Sequence, residues 1–135
     1  MNIVSENKIR LLYDPIIEVK NINNKKSATK ITHHSNYFLA AGRLTKQKNF
    51  LFLCKAFKII ISKYPNFKLL IAGDGEDKKK LVDYIDKNKL KKNIFLTGHV
   101  DNIFPLMKGA EAFILSSLWE DPGFVIIEAA FCRTP

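Results

Sequence analysis

Four short apolar runs, each stopped by glycine or serine, limit what this chain can fold into. They are YFLAAG (Tyr37 to Gly42), FKLLIAG (Phe67 to Gly73), NIFLTG (Asn93 to Gly98) and EAFILSS (Glu111 to Ser117). A strand with one wet face alternates apolar and polar side chains. These runs are continuously apolar, so both faces must be covered. Strands of that kind belong to a parallel sheet, which needs crossover segments of a dozen or more residues between neighbours.

The intervening segments supply those crossovers. NFLFLCKAFKIIISKYP, Asn49 to Pro65, is apolar over most of a helix surface and stops before Pro65. DKKKLVDYIDKN, Asp77 to Asn88, carries Leu81, Val82 and Ile85 on one face and reads as a surface helix. DNIFPLMKGA reads as a short helix interrupted by Pro105, and VIIEAAF as a helix starting near Gly123. Strand and helix therefore alternate four times. The expected class is α/β: a Rossmann-like parallel sheet flanked by helices over residues 36–135.

Residues 1–35 have a different texture. Ile9 to Tyr13 suggests a short strand closed by Asp14-Pro15, and Asn21 to Ser35 reads as a linker rich in Asn, Lys, Ser and Thr. His33-His34 lies there without a neighbouring Cys, Asp or Glu, which argues against a metal site. The opening MNIVSENKIR has no apolar signal-peptide core, and no run approaches the roughly 18 apolar residues of a membrane span. Cys54 and Cys132 sit in apolar surroundings without a C-x-x-C partner and read as buried free thiols. The expectation is a cytoplasmic chain of one domain.

The net charge of +9 comes almost wholly from lysine, since Arg10, Arg43 and Arg133 are the only arginines. Such a balance suits an anionic membrane surface, phosphorylated small ligands or nucleic acid. Nucleic-acid readers interleave arginine and exposed aromatics with the charge. Here the aromatics fall mainly inside the apolar runs, so nucleic acid is not the expected partner. The lysines around Lys78 to Lys92 mark a possible peripheral contact with an anionic membrane.

In parallel sheets of this kind ligands bind beyond the carboxyl ends of the strands. Gly42 and Arg43 end the first run, and Lys48 follows five positions later at the start of the long helix. Two cations near a helix N-terminus suit a phosphate or diphosphate, though ordinary surface cations would show the same spacing. Gly73 and Gly75 allow a tight turn or a close backbone approach to a ligand. They do not make a dinucleotide fingerprint, because the third glycine position is Lys78.

EDPGFVIIE, Glu120 to Glu128, places one acid on a loop and the other in the second turn of a helix. The two cannot share a helical face. They bracket a helix N-terminus where Gly123, Phe124 and Val125 offer free N–H groups. Carboxylates accept hydrogen bonds from sugar hydroxyls and N–H groups receive anionic oxygens, so the stretch suits a ligand that is both polyhydroxylated and phosphorylated. Two unrelated surface acids, or the acid pair of a glycoside hydrolase, are the other readings.

Together these pieces resemble the C-terminal, nucleotide-sugar-binding domain of group 1 family glycosyltransferases, which have the two-domain GT-B fold. The resemblance is collinear from about Tyr13 to Pro135. It rests on the DP before the domain (usually NP), AAGRLTKQKNF, LIAGDGE, IFLTGHV, the apolar run ending in SS, E-x7-E, and EAAFCRTP against the usual E-A-x-A-x-G-x-P. It implies transfer of a sugar from a nucleotide diphosphate sugar, UDP- or GDP-linked, with retention at the anomeric carbon. Arg43 and Lys48 then bind the diphosphate, Glu120 the donor-sugar hydroxyls and Glu128 the ribose. Backbone from Gly123 through Phe124 to Val125 faces sugar and phosphates, with Gly73 and Gly75 nearby. The base lies by Gly98, His99 and Val100. The resemblance implies no metal, and the sequence has no D-x-D element. By the same analogy Glu120, Arg43 and Lys48 are the catalytic set, acting in cell-surface polysaccharide, lipopolysaccharide or glycolipid synthesis.

Three departures stand out. Arg133 occupies the position of the family's glycine, and Ser116-Ser117 replaces its Pro-Ser. On this resemblance the family's N-terminal acceptor domain, and the segments that follow the position of Pro135 in the family, are expected to be missing. The expectation is therefore a donor-binding domain, incomplete at its C-terminal side, that does not transfer sugar alone. A stand-alone or decayed nucleotide-sugar-binding module is the alternative.

Overall fold

The computed structural model describes residues 36–135. The strand expected at Ile9 to Tyr13, the linker and His33-His34 lie outside the described residues. Strands β1 (Tyr37–Ala41), β2 (Lys68–Ala72), β3 (Ile94–Gly98) and β4 (Ala112–Phe113) alternate with helices α1 (Phe50–Lys63), α2 (Lys78–Lys87), α3 (Phe104–Gly109) and α4 (Phe124–Phe131). The sheet has the order β3-β2-β1-β4, and β1–β2, β2–β3 and β1–β4 all pair in parallel.

Side-chain alternation along the two central strands divides the core. Ala40, Leu69 and Ile71 face α1 and α2, where they pack with Leu53, Cys54, Phe57, Leu81 and Ile85. Tyr37, Leu39, Leu70 and Ala72 face α3 and α4, with Phe104, Leu106, Met107 and Ala129. The continuous hydrophobicity of β1 and β2 thus has the expected cause. β3 departs from it: beyond Ile94 its residues are only half-buried, because it is an edge strand. Tyr37 brings a hydroxyl into the interior, and it donates to the Leu106 carbonyl at 2.7 Å.

Three expectations need correction. The fourth run pairs as a strand only at Ala112 and Phe113, with bonds to β1 from Glu111 N–H to the Tyr37 carbonyl and from Ile114 N–H to the Leu39 carbonyl. Beyond it the chain turns to other partners: Ser116 Oγ donates to the Lys48 carbonyl and Leu118 N–H to the Gln47 carbonyl, both at 2.8 Å. Pro105 does not interrupt α3. It sits in the first turn, where a missing N–H costs nothing, and Asn102 Oδ1 accepts the Phe104 N–H at 3.2 Å. Both cysteines are free as expected, but only Cys54 is fully buried, its thiol pushed up to about 12 by that burial.

The chain progresses outward from β1 through β2 to β3, then returns to the other side of β1 as β4. That reversal is a topological switch point. The segments leaving β1 and β4 diverge to opposite sides there and leave a crevice between them.

Candidate functional site

A cavity of about 590 Å3 opens at the carboxyl ends of the strands. The segment after β1 brings Gly42, Arg43 and Lys48, and the segment after β2 brings Gly73 and Asp74. His99 and Val100 follow β3, and Glu120 lies on the segment after β4. Gly123, Phe124, Val125 and Glu128 belong to the start of α4. The structure therefore brings together ten of the residues singled out from sequence. Gly75 and Gly98 do not line the cavity. Gly75 packs against the Leu44 backbone instead, and Gly98 accepts the Gly73 N–H at 2.8 Å. Sequence reasoning missed Ile103, which lines the cavity from the turn before α3.

Gly73 explains its own identity. Its φ is +143°, and a β-carbon there would lie 2.0 Å from the Gly42 carbonyl oxygen. The glycine lets the loops after β1 and β2 cross in contact, which is a backbone approach within the protein rather than to a ligand.

The central polar contact is between two residues that sequence assigned to separate tasks. Lys48 Nζ donates to both carboxylate oxygens of Glu120, each at 2.7 Å. The two side chains are 16% and 17% exposed, so solvent screens the pair less than a surface bridge. Burial pushes the Glu120 carboxyl upward, but hydrogen bonds from Lys48 and Ser117 and the ammonium charge outweigh it, leaving the pKa below the ordinary range. An ammonium has three donors, so one remains for the cavity. Arg43 is exposed, and its side chain makes no hydrogen bond or ion pair among the described residues. Its full charge and its fork of donors are available to a ligand.

Glu128 is in the opposite condition. Desolvation raises its pKa, and no hydrogen bond or ion pair reaches its side chain among the described residues. Between the two acids α4 begins at Gly123, whose φ of +73° makes the turn into the helix. The helix has no side-chain cap and no acid in its first turn, so its leading N–H groups and the positive end of its dipole face the cavity unanswered. Among the described residues no group of three His, Cys, Asp or Glu is placed to hold a metal ion, and no helix is long and apolar enough to cross a membrane.

Fold and site define a parallel α/β protein whose crevice lies at the switch point and is lined by cations, a bare helix end and carboxylates. The model of the glycosyl transferases group 1 family matches residues 21–135. An uncharacterized glycosyltransferase of Methanocaldococcus jannaschii is 40% identical over 122 residues, covering 90% of this chain and 30% of the relative. The UDP-Gal:alpha-D-GlcNAc-diphosphoundecaprenol alpha-1,3-galactosyltransferase of Escherichia coli is 35% identical over 114 residues, 82% of this chain and 30% of the relative. Among solved structures, the pneumococcal O-GlcNAc transferase GtfA in complex with UDP and GlcNAc superposes with a TM-score of 0.70 at 25% identity, over 73% of this chain and 19% of that one. WaaG, a glycosyltransferase involved in lipopolysaccharide biosynthesis, gives 0.67 at 20% identity over 75% and 27% of the two chains, a likeness of fold.

The chain belongs to the group 1 glycosyl transferase family. Its fold is that of the family's C-terminal domain, as the sequence resemblance implied. It spans about 30% of the length of the first two curated relatives.

Proposed function

We propose that the cavity binds a nucleotide diphosphate sugar and that the chain supplies the donor side of a retaining glycosyltransferase. The observation that carries this reading is the convergence of Arg43, Lys48, Glu120, Glu128 and the uncapped α4 N-terminus on one cavity. Arg43 grips the diphosphate as a fork, and the third Lys48 donor and the α4 N–H groups complete its cradle. Glu120, held in place by Lys48, accepts from the sugar hydroxyls. Glu128 accepts from the ribose, and the base lies near His99 and Val100.

The chemistry breaks the bond between the anomeric carbon and the diphosphate, and negative charge grows on the departing phosphate. Arg43, Lys48 and the helix end stabilise that charge as it develops, the task that a metal ion performs at many phosphate sites. The acceptor binds to a second domain, so residues 36–135 hold the donor without completing transfer. UDP is the favoured nucleotide, because the Escherichia coli relative uses a UDP-sugar and GtfA was solved with UDP. The same relative builds on an undecaprenyl-linked sugar, which favours a cytoplasmic protein acting on cell-surface glycan precursors.

A thermal melt with UDP, GDP and ADP, each with and without EDTA, tests the reading, with DNA as control. A ligand at 100 times its dissociation constant adds about 2.7 kcal/mol, a rise of several degrees for a domain of this size. A shift with UDP that survives EDTA is the expected result. A folded sample that no nucleoside diphosphate shifts sinks the proposal.

A further inference from the structure

The outer face of α1 is unusual for a surface helix. Phe52, Lys55, Ile59 and Lys63 recur at spacings of three and four, so they share one side. Leu53, Cys54 and Phe57 occupy the other side in the core. Phe52 is 60% exposed, Ile59 68%, and Tyr64 just beyond the helix 57%. α1 contains no acidic residue. Around Phe52 a shallow depression is lined by Lys46, Lys55 and Lys80, with Asp77 as its one acid.

The lysine-rich helix α2, marked in the sequence as a membrane contact, is differently arranged. Lys78 pairs with Asp74 at 2.6 Å and Lys80 with Asp77 at 3.5 Å, and beyond the helix Lys91 pairs with Asp86 at 2.9 Å. Two of the four lysines of α2 are thus answered within the protein. On α1, Lys55 and Lys63 have no acidic partner among the described residues and stand beside large apolar side chains.

We propose that the outer face of α1 docks on an anionic lipid surface, with Phe52 and Ile59 entering the interface and Lys46, Lys55 and Lys63 resting on the headgroups. An anionic bilayer rewards both halves of this arrangement: it takes apolar side chains into the headgroup boundary, and its surface potential attracts each ammonium. No residue of α1 lines the cavity, so the site stays open in the docked state. The inference is independent of what the cavity binds.

The test is sedimentation of the full chain with vesicles of phosphatidylglycerol and phosphatidylcholine, against phosphatidylcholine alone. Binding to the anionic vesicles only, lost at about 0.5 M salt, is expected. The double variant Phe52→Ser with Ile59→Ser lowers the apparent affinity about tenfold. Lys55→Glu with Lys63→Glu does the same, while Lys79→Ala changes it by less than about twofold. These side chains are exposed, and melts of each variant check that the fold is kept. No binding to anionic vesicles overturns the proposal, and so does binding that survives both double variants. A wild-type dimer that Phe52→Ser with Ile59→Ser makes monomeric also overturns it, by assigning the face to a protein contact.

Discussion

Lys48 and Glu120, 72 positions apart in sequence, are joined through two contacts of 2.7 Å. The pair closes the loop after β4 onto the loop after β1 and fixes one end of the cavity. Its partial burial makes the coupling larger than that of a surface pair. A double-mutant cycle on Lys48→Ala and Glu120→Ala is expected to give a coupling energy of about 1–2 kcal/mol by urea melts. The Glu120 pKa is depressed in the folded state, so its contribution is present above the unfolded carboxyl pKa and lost as pH falls through the folded one. The coupling measured at neutral pH should therefore vanish in acid. A coupling near zero at neutral pH would show that the geometry carries no energy.

The end of α4 gives a second prediction. Arg133 has φ +58°, its N–H donates to the Ala130 carbonyl at 2.9 Å, and Thr134 N–H donates to the Ala129 carbonyl at 3.0 Å. This is a Schellman closure with arginine in the left-handed position, where glycine is free of the β-carbon clash. Arg133→Gly is expected to stabilise the fold by about 1 kcal/mol, raising Tm by several degrees. A lower Tm would mean that the arginine side chain contributes more than its backbone strain costs.

Much of the site was legible because its parts are local. Gly42-Arg43, Gly73 and the turn into α4 at Gly123 each announce a strand end or a helix start within a few residues. The Lys48–Glu120 contact had no such signal, since it depends on β4 returning beside β1, and the strand order of a parallel sheet is not written in any one run. Gly75 was ambiguous for a related reason: glycine reports a tight approach but not what approaches, and here it is the Leu44 backbone. The fourth strand was overestimated because Ile114 and Leu115 continue its apolar run while hydrogen bonding beyond Ile114 passes to the Gln47–Lys48 loop.

Glu128 supports a prediction of opposite sign to Glu120. Its pKa is raised by desolvation, so the folded state holds the proton more tightly than the unfolded chain. Between the ordinary Glu pKa and the raised folded value, stability falls as pH rises. Glu128→Gln removes the half-buried charge while keeping the shape. It is expected to raise Tm at neutral pH and to flatten that part of the pH profile. Under the proposed function it also weakens UDP binding about tenfold or more, because a charged acceptor is lost from the ribose. A variant no more stable than wild type at neutral pH would mean that the carboxylate is hydrated enough to bear its charge.

The loop that carries Glu120 is held by more than its ion pair. Ser116 Oγ donates to the Lys48 carbonyl at 2.8 Å, Leu118 N–H donates to the Gln47 carbonyl at 2.8 Å, and Gln47 Nε2 donates to the Trp119 carbonyl at 3.1 Å. These bonds tie Ser116–Trp119 to the residues beside Lys48, so they set where Glu120 stands without touching a ligand. Ser116→Ala is expected to cost about 1 kcal/mol, and Gln47→Ala, whose side-chain bond is exposed, about half of that. The more telling readout is local. In Ser116→Ala the Leu118 amide should exchange with solvent several-fold faster while amides of β1 and β2 keep their protection, because the loop opens separately from the sheet. Nucleotide affinity should fall in step with that opening. Unchanged exchange at Leu118 would show that the Ser116 bond does not hold the loop, leaving its order to the Gln47 bonds and the Lys48–Glu120 pair.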